Sequence, residues 1–576
     1  MENISGKWEK NQGIKVEFYG SIYNRDSINT NKSLSDNELI EFLYTTKGYE
    51  SFGTLDGAFL IMIKDGESTI VARDRHAIGS QLYYNEKCYA NSLELLQKID
   101  SNNYVANKEA IVEFMMRGYI APQRSSFLNV NKLGAGEVLI YKGGKFERFK
   151  LQGKSIRIDT SRIKSIDDAS QYYKELHQNA IKRRIDGASS VGLLLSGGYD
   201  SGSNLSALRE IYTGELSSFT VGFKGDSWSE KPLARILSNH FGTTHHEYDI
   251  DGSEIENLPS IIKHLGDPFV EGGLMVNYAA MKMVNQNRTD VIIGGDGSDQ
   301  YFGTSGRELA LHHLLAKSKL KPLAKGVFGM LSNNKVDNNN TLYKIRFHLN
   351  KVLDVLEGDN FGFQPYQLKK MIIGGFKNPL IYTMNDNSSF NNIYEQHRLL
   401  SDIDKIINQV ILFKASRMAE MFENKMVFPF MDLNLYHLLK IVPREYKCKV
   451  DGGLLGAARG HLTSKYLLKK AYKESLPKEI TERKKQGGFA PMPIFFNDAK
   501  RRKRIKEFIL SSSICGELLD KTAVGHFITN YENTYGDSTI WFWHHQNSAI
   551  QYFNLLTLAI WWEIFVIGRN IEKLDL

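Results

Sequence analysis

One short stretch constrains the fold more than any other part of the sequence. An apolar run, Val191 to Leu195, passes into Ser-Gly-Gly-Tyr-Asp-Ser and then into a helical pattern from Gly202 to Ile211. A second apolar run, Leu216 to Phe223, precedes another helical pattern at Lys231 to Phe241. Strands that alternate with helices of this length predict a doubly wound parallel sheet. We therefore expect an α/β domain from residue 165 onward, with mostly helical structure beyond residue 300.

The Ser-Gly-Gly turn has the chemistry of a phosphate-binding loop. Gly197 and Gly198 let the backbone approach a phosphate closely, and the following helix offers free N–H groups and a favourable dipole. Ser196 and Ser201 add hydroxyl donors. Asp200 is badly placed to touch phosphate itself but well placed to hold Mg²⁺ against it. No Gly-Lys-Ser/Thr follows, so the loop is not a Walker A motif.

The N-terminal part of the chain has a different pattern. Short alternating or continuous apolar runs predict strands at Ile14 to Tyr19, Ala58 to Lys64, Ser68 to Ala72 and Glu137 to Tyr141. A helix is predicted between Ser35 and Thr46, with Ser35 or Asp36 as its cap and Glu38 in the first turn. Polar, basic residues from 151 to about 164 suit a linker. We therefore divide the chain into domains at residues 1–155 and 165–576, and expect a loop at the Asn-rich stretch 333–340.

Composition narrows the class of protein further. The chain has 576 residues, enough for two domains, and its net charge of +8 is mild for that length. The basic run at residues 500–504 is typical of a solvated helix face, so no nucleic-acid partner is expected. Three scattered cysteines argue for a reducing compartment. The N-terminus lacks the apolar core of a signal peptide, and polar residues interrupt the apolar stretch Ala549 to Gly568. We expect a cytoplasmic protein without a membrane partner, whose C-terminal helix is buried.

Residues 193–201 resemble the pyrophosphate-binding loop of the N-type ATP pyrophosphatases, which cleave ATP between the α and β phosphates. Further motifs resemble those of the asparagine synthetases and their relatives. They are Phe219-Thr220-Val221-Gly222-Phe223 with Glu230 and Gly242–Glu247; Ile293–Gln300; Lys414, Arg417, Met418 and Phe428–Asp432; and Lys465–Leu468, Leu476-Pro477 and Arg483–Gly487. Their order and spacing fit this family from residue 190 to 495.

The resemblance implies an ATP- and Mg²⁺-dependent ligase that activates a carboxylate as its AMP ester and then forms an amide. It assigns Mg²⁺ to Asp200 and Asp299 and charge stabilisation on the acyl-adenylate to Lys485. Asp296 stands where amide-forming members carry an acidic residue for the amine proton. The implied ATP and pyrophosphate residues are Leu195, Ser196, Gly197, Gly198, Asp200, Ser201, Val221, Phe223, Gly294 and Gly295.

The N-terminal region resembles the glutaminase domain of the same family, an Ntn-hydrolase-like, β-rich sandwich. The matching segments are Gly20–Asn24, Ser35–Glu38, Leu55–Phe59 and Ala72–Arg75. A working glutaminase of this class attacks with an N-terminal cysteine whose α-amine is the base. Residue 2 is Glu and the first cysteine is Cys88. By the resemblance, we expect the chain to start about fifty residues later than the family does. Tyr19 replaces the Asn that helps hold the oxyanion. We therefore expect an inactive glutaminase domain that serves as a scaffold.

The expected acyl pocket also departs from the family. Glu271, Asn277 and Arg417 are candidate pocket residues, but Gly273 and Asn277 replace a Ser and a Thr of the family, and Lys425 and Val427 replace a Glu and an Arg. These changes favour an acid other than aspartate, either a small molecule or a peptide.

Several functions stay open at this point. The amine is either ammonia, from a separate source, or another amine. In the alternative function, the amine and the carboxylate belong to the same molecule, as in lasso-peptide and β-lactam cyclases. The partner is then a precursor peptide or metabolite. A homodimer stays open. A non-catalytic nucleotide-binding protein conflicts with the intact loop and Lys485, and a tRNA-thiolating enzyme conflicts with the scattered cysteines.

Overall fold

The computed structural model describes residues 3–28, 34–100, 104–151, 158–225, 229–337, 339–356, 362–379, 388–482 and 490–576. Two antiparallel sheets form the N-terminal region. The first has five strands, in the order Ile14–Ile22, Gly57–Asp65, Ser68–Arg73, Glu137–Lys142 and Lys145–Lys150. The second has four strands, in the order Ser5–Lys7, Cys88–Ala90, Tyr83–Tyr84 and Asn131–Lys132.

The central strand Gly57–Asp65 shows why these two sheets form a sandwich. Leu60 and Met62 face a core shared with Tyr84 of the four-stranded sheet and with Leu82, which precedes that strand. The alternate residues face helix Asp36–Lys47 on the opposite side. Successive side chains of a strand point to opposite faces, so one apolar strand joins both cores. The helix begins as predicted, at an N-cap Ser35 that forms a capping box with Glu38.

The second half of the chain is built on a five-stranded parallel sheet. Its strand order is Thr244–Ile250, Leu216–Phe223, Val191–Leu194, Val291–Ile293 and Lys425–Val427. This arrangement confirms the predicted doubly wound α/β fold. The carboxyl ends of the three inner strands meet at one edge, where ligands bind in folds of this class. A small antiparallel pair, Cys448–Val450 with Leu462–Ser464, lies apart from it.

Helices account for most of the remaining structure. The N-terminal region has Arg25–Ile28, Asp36–Lys47, Leu93–Ile99 and Lys108–Arg117. The second region has Ile166–Ile185, Tyr199–Ile211, Lys231–Phe241, Leu258–Leu265, Leu274–Gln286, Ser298–Phe302, Gly306–Lys317, Lys321–Leu331, Asn334–Asp337, Asn340–Leu353, Pro365–Met371, Phe390–His397, Leu412–Met421, Leu433–Ile441, Arg444–Lys447, Gly453–Ala458, Tyr466–Tyr472, Lys478–Thr481, Ala499–Ser511, Ile514–Glu517, Lys521–Thr534 and Phe542–Phe565. Arg398–Ile411 has the wider hydrogen bonding of a π-helix. Single 3₁₀ turns lie at Tyr49–Thr54, Thr160–Ile163, Ser253–Asn257, Pro429–Met431 and Met492–Phe496.

Two sequence expectations beyond residue 300 have different outcomes. The loop predicted at residues 333–340 is wrong in part, because Asn334–Asp337 is helical and Asn340 begins the next helix. Asn339 caps that helix by accepting a hydrogen bond from the Leu342 amide, so asparagine here starts a helix. The apolar C-terminal stretch lies in the buried helix Phe542–Phe565, as predicted. Among the described helices, none is long and apolar enough to cross a membrane.

Candidate active site

The Ser-Gly-Gly turn follows the central strand of the parallel sheet and is held by its own serines. The Ser201 hydroxyl accepts a hydrogen bond from the Ser196 amide at 3.1 Å and lies 3.0 Å from the Ser196 hydroxyl. A Cβ at Gly197 would lie 2.3 Å from the Cβ of Leu233, so only glycine fits there. Gly198 precedes helix Tyr199–Ile211 without a side-chain cap, which leaves the amides at the helix start available to an anion.

A second loop lies beside the first, because it follows the neighbouring parallel strand Val291–Ile293. The Asn204 amide nitrogen donates to the Gly294 carbonyl at 3.1 Å. A Cβ at Gly295 would lie 3.7 Å from the amide nitrogen of Ser201, which gives the spacing of the two loops. Gly297 has a φ of +101° and turns the chain into helix Ser298–Phe302, which carries Asp299.

The adjacent strand Leu216–Phe223 extends past the loop. Leu194 pairs with Phe219, so Val221 and Phe223 continue beyond the end of the central strand at the edge where the two loops lie. The Leu195 amide donates to the Phe219 carbonyl at 2.8 Å, which ties the start of the loop to this strand. All ten residues expected at the ATP and pyrophosphate site therefore belong to three adjacent strand ends.

Lys465 joins the two carboxylates to which Mg²⁺ was assigned. Its ammonium nitrogen lies 2.7 Å from Asp200 Oδ2 and 2.9 Å from Asp299 Oδ1. The lysine is buried and has a φ of +54°, which non-glycine residues seldom adopt. Burial alone would lower the pKa of Lys465, but the two aspartates raise it well above its usual value. Asp200 and Asp299 thus contact the same cation, which is the ammonium group of Lys465.

The charges of these two carboxylates and of the Glu271–Lys414 ion pair act on Asp296. Burial raises its pKa to about 6, against the opposing effect of Lys414, and the charges of Glu271, Asp200 and Asp299 raise it further. A carboxylate with a pKa near neutrality is suited to accept a proton at physiological pH. The carboxyl group is therefore near both the nucleotide loops and the expected acyl pocket.

The three expected pocket residues lie in distinct surroundings. Glu271 forms an ion pair with Lys414 and accepts a hydrogen bond from the Gly273 amide at 2.8 Å, at the start of helix Leu274–Gln286. Asn277 is buried on that helix, and its side-chain oxygen has no hydrogen-bond partner among the described residues. Arg417 is paired with Glu420, and its guanidinium also approaches the Gly79 carbonyl at 3.4 Å. Arg417 therefore faces the N-terminal region.

The site contains residues that sequence reasoning did not single out as functional. Lys465 and Lys414 belong to motifs quoted above, but spacing alone gave them no role. A buried chain of hydrogen bonds from Tyr472 through His177 to Asn204 supports the Gly294 loop, with heavy-atom distances of 2.7 and 2.9 Å. Lys485 lies outside the described residues.

Buried polar contacts connect the N-terminal sandwich to this site. The His76 ring bonds Asn408 through Nδ1 at 2.9 Å and the Tyr301 hydroxyl through Nε2 at 2.8 Å. Tyr301 follows Asp299 closely in the same short helix. Arg184 lies between Asp56 of the sandwich and Asp432, at 3.0 and 2.9 Å. A cavity of about 330 Å³ lies along the same boundary, lined in part by Arg73, Gln81, Asp267, Asn408 and Phe413.

Comparisons with known proteins agree with this architecture. The asparagine synthase family profile matches residues 173–563, and the glutamine amidotransferase domain profile matches residues 8–151. The glutamine-hydrolyzing asparagine synthetase 1 of Bacillus subtilis strain 168 is 26% identical over 519 residues, which cover 83% of this chain and 76% of that protein. A putative glutamine-hydrolyzing asparagine synthetase 2 of Methanocaldococcus jannaschii is 28% identical over 304 residues, 50% of this chain and 58% of that protein.

Solved structures contribute less to the comparison. The allosteric regulatory enzyme of purine biosynthesis covers 42% of this chain and 61% of its own, at 12% identity and a TM-score of 0.19, which is too low to carry a structural argument. The assignment follows from the family profile, which spans more than half of the chain and includes both nucleotide loops. This chain belongs to the asparagine synthase family of ATP-dependent ligases that form C–N bonds.

Proposed function

We propose that this protein activates a carboxylate by adenylation and then joins it to an amine. ATP would transfer AMP to the acid and release pyrophosphate, and the amine would displace AMP to form the amide. The convergence of Asp200 and Asp299 on a single cation beside the Ser-Gly-Gly loop carries this proposal. We also propose the division into domains at residues 1–155 and 165–576.

The loops supply the nucleotide contacts in this scheme. Amides and hydroxyls from Leu195 to Ser201 would bind the pyrophosphate, while Val221, Phe223, Gly294 and Gly295 would border the rest of ATP. The donor set at Asp200 and Asp299 fits Mg²⁺, which prefers one or two carboxylates completed by phosphate and water. When bound, Mg²⁺ would neutralise charge on the pyrophosphate leaving group. Lys465 would then be released to contact a phosphate.

Asp296 and Lys485 are the proposed catalytic residues. Asp296, with a pKa raised to about 6 by burial and neighbouring acids, would accept the proton that the attacking amine loses. Lys485 would stabilise negative charge on the acyl-adenylate and the departing phosphate. This role for Lys485 rests on its motif, since the residue lies outside the described part of the chain.

We propose that the amine does not come from glutamine hydrolysed by a cysteine of this sequence. Cys88 is buried in the sandwich, and burial raises its pKa to about 11, so its thiolate is scarce at neutral pH. Cys448 and Cys515 lie outside the amidotransferase profile, which ends at residue 151. Free ammonia, a separate ammonia source or an amine on the substrate would supply the nitrogen.

One observation favours an intramolecular cyclase as a second candidate. Lys414 is already paired with the expected pocket residue Glu271, and Arg417 is paired with Glu420 and faces the N-terminal region. A pocket whose nearest lysine is neutralised in this way is poorly matched to a dicarboxylic acid such as aspartate. It suits a carboxyl group carried by a neutral metabolite or peptide, which could also carry the amine.

The test measures pyrophosphate release with ATP, Mg²⁺, L-aspartate and ammonium, and then with glutamine in place of ammonium. Asparagine formed with ammonium but not with glutamine supports the ammonia-dependent ligase. Absence of turnover in a protein that binds ATP excludes aspartate, and peptide and metabolite carboxylates are then screened by carboxylate-dependent ATP–pyrophosphate exchange. An Asp200→Asn variant that turns over normally would refute the proposed site.

A further inference from the structure

A strongly basic surface lies on the helices that follow residue 308. Between Glu308 and Asp354 the sequence has seven lysines and one arginine but a single acidic residue, Asp337, which gives a net charge of +7. The whole chain has a net charge of only +8. Nearly all of its excess positive charge therefore falls in this one segment.

The only acid in the segment does not offset the charge that faces solvent. Asp337 forms an ion pair with the buried Arg346 at 2.6 Å and accepts a hydrogen bond from the Tyr366 hydroxyl at 2.7 Å. The lysines that remain exposed are Lys317, Lys319, Lys325, Lys335, Lys344 and Lys351. The surface of this segment is therefore cationic throughout.

Helix Lys321–Leu331 also presents an apolar stripe to solvent. Leu320, Leu323, Val327 and Met330 have the three- and four-residue spacing of one helix face, and their exposed fractions are 49, 67, 40 and 80%. None of the residues of this helix is buried. Single exposed apolar side chains are ordinary, but four aligned ones indicate a binding surface.

The neighbouring helix Asn340–Leu353 packs against the first and adds to the surface. Its exposed apolar side chains are Leu342 and Ile345, beside the exposed Lys344. A Cβ built at Gly326 or Gly329 meets no atom of the described residues within 4 Å, so open surface borders the stripe. We call these two helices, with residues 317–320, the basic helical surface.

We propose that the basic helical surface binds in the plane of an anionic phospholipid membrane. An amphipathic helix with basic flanks and an aliphatic face inserts that face at the boundary between headgroups and acyl chains, while its lysines contact anionic lipid. The stripe is aliphatic and contains no hydrogen-bonding side chain, which suits a fluid bilayer better than a shaped acidic protein. This proposal departs from the sequence expectation of no membrane partner, which stays a prediction.

The binding mode is peripheral and does not depend on the proposed ligase activity. Its consequence would be that the active site works next to the membrane surface. Adding phosphatidylglycerol vesicles would then shift the protein from solution to vesicle without the need for ATP. Electrostatic attraction also makes the binding sensitive to salt.

The experiment is co-sedimentation of the full chain with phosphatidylglycerol–phosphatidylcholine vesicles and with pure phosphatidylcholine vesicles. We expect binding to the anionic vesicles only. A Leu323→Ser, Met330→Ser variant and a Lys319→Glu, Lys325→Glu variant should each weaken partitioning by about tenfold or more, because burial of the stripe and each basic residue near the surface contribute.

Matched controls use equally exposed residues elsewhere. Leu128 and Leu455 are 59 and 60% exposed, so a Leu128→Ser, Leu455→Ser variant tests nonspecific adsorption through exposed leucines. A Lys500→Glu, Lys503→Glu variant tests whether the other basic run contributes to vesicle binding. Both controls should bind vesicles like the wild type, and all variants should keep the wild-type Tm. Failure of the wild type to bind anionic vesicles, equal losses in the controls, or tighter binding to polyglutamate or DNA would each overturn the proposal.

Discussion

The Tyr301 hydroxyl lies 2.8 Å from His76 Nε2, and this bond joins the N-terminal sandwich to the helix that carries Asp299. His76 donates through Nδ1 to the Asn408 side-chain oxygen, so Nε2 accepts the hydrogen bond that the Tyr301 hydroxyl donates. The N-terminal region therefore helps to hold the helix Ser298–Phe302, whose Asp299 is a proposed Mg²⁺ ligand.

His76→Ala should destabilise the protein by about 1–3 kcal/mol, because it leaves buried groups without partners. It should also raise the KM for Mg·ATP, while His76→Gln restores part of both properties. The measurements are urea unfolding and pyrophosphate release. His544→Ala is the control, since His544 stacks on Tyr343 far from this bond and its removal should also lower stability. An equal KM increase in that control would show a general structural effect.

The same histidine predicts a dependence of stability on pH. Burial lowers the pKa of His76 to about 3 from an ordinary value of 6.5, so the unfolded chain binds the proton first. Stability from this residue is complete above about pH 6.5 and declines as the pH falls toward 3. In His76→Gln, the free energy of unfolding should decline less steeply across that range. An unchanged slope would contradict the buried neutral imidazole.

Lys465→Met should leave two carboxylates facing each other without a cation. The free energy of unfolding is expected to fall by about 2 kcal/mol. This is less than for a fully buried ion pair, because Asp200 and Asp299 keep some solvent contact. Mg²⁺ should then raise the Tm of the variant more than that of the wild type, because the metal takes the place of the ammonium. Lys470→Met, at a half-exposed lysine that pairs with Asp167 instead, is the control. Equal Mg²⁺ shifts would argue against a metal site here.

Asp296→Asn should reduce turnover by about 10²- to 10⁴-fold if the carboxylate removes the amine proton. In the wild type the rate should rise with pH through about 6, as Asp296 loses its proton. The rate of the variant should not rise across this pH range when the concentration of free-base amine is held constant. If the rate of the variant still rises with pH through about 6, the titrating group is a residue other than Asp296.

Glutamine should not replace ammonium, and Cys88→Ala should change the ammonium-dependent rate by less than about twofold, because the thiol is buried and remains protonated. Amide formation and glutamate release are measured in the same reactions. Glutamate released by the wild type but not by Cys88→Ala would make Cys88 a nucleophile.

Sequence patterns predicted several of the longer strands and the first nucleotide loop, because those elements depend on local periodicity. Val191 to Leu194 forms the central strand, and the glycines at 197 and 297 lie where backbone crowding or a positive φ requires them. The carboxylates at 200 and 299 are separated by a hundred residues in the chain, but parallel strands bring their loops to one edge.

Other features of the site depend on contacts that no local pattern encodes. Lys465 reaches both aspartates from a left-handed backbone conformation, and its motif alone gave it no role. Arg417 was assigned to the pocket from its motif, but its guanidinium faces Gly79 of the other domain. That assignment stays a prediction. The bonds of His76 and Arg184 likewise join residues more than a hundred positions apart.

The Asp56–Arg184–Asp432 contact implies that removing the N-terminal sandwich would destabilise the rest of the protein. Without Asp56, the buried Arg184 keeps only part of its compensating charge. Tyr83, Phe114 and Phe127 also belong to the same apolar core as the parallel sheet. Calorimetry of the full chain should therefore give one melting transition rather than two. If the sandwich carries no glutaminase activity, selection would still retain it as part of the core on which the parallel sheet folds.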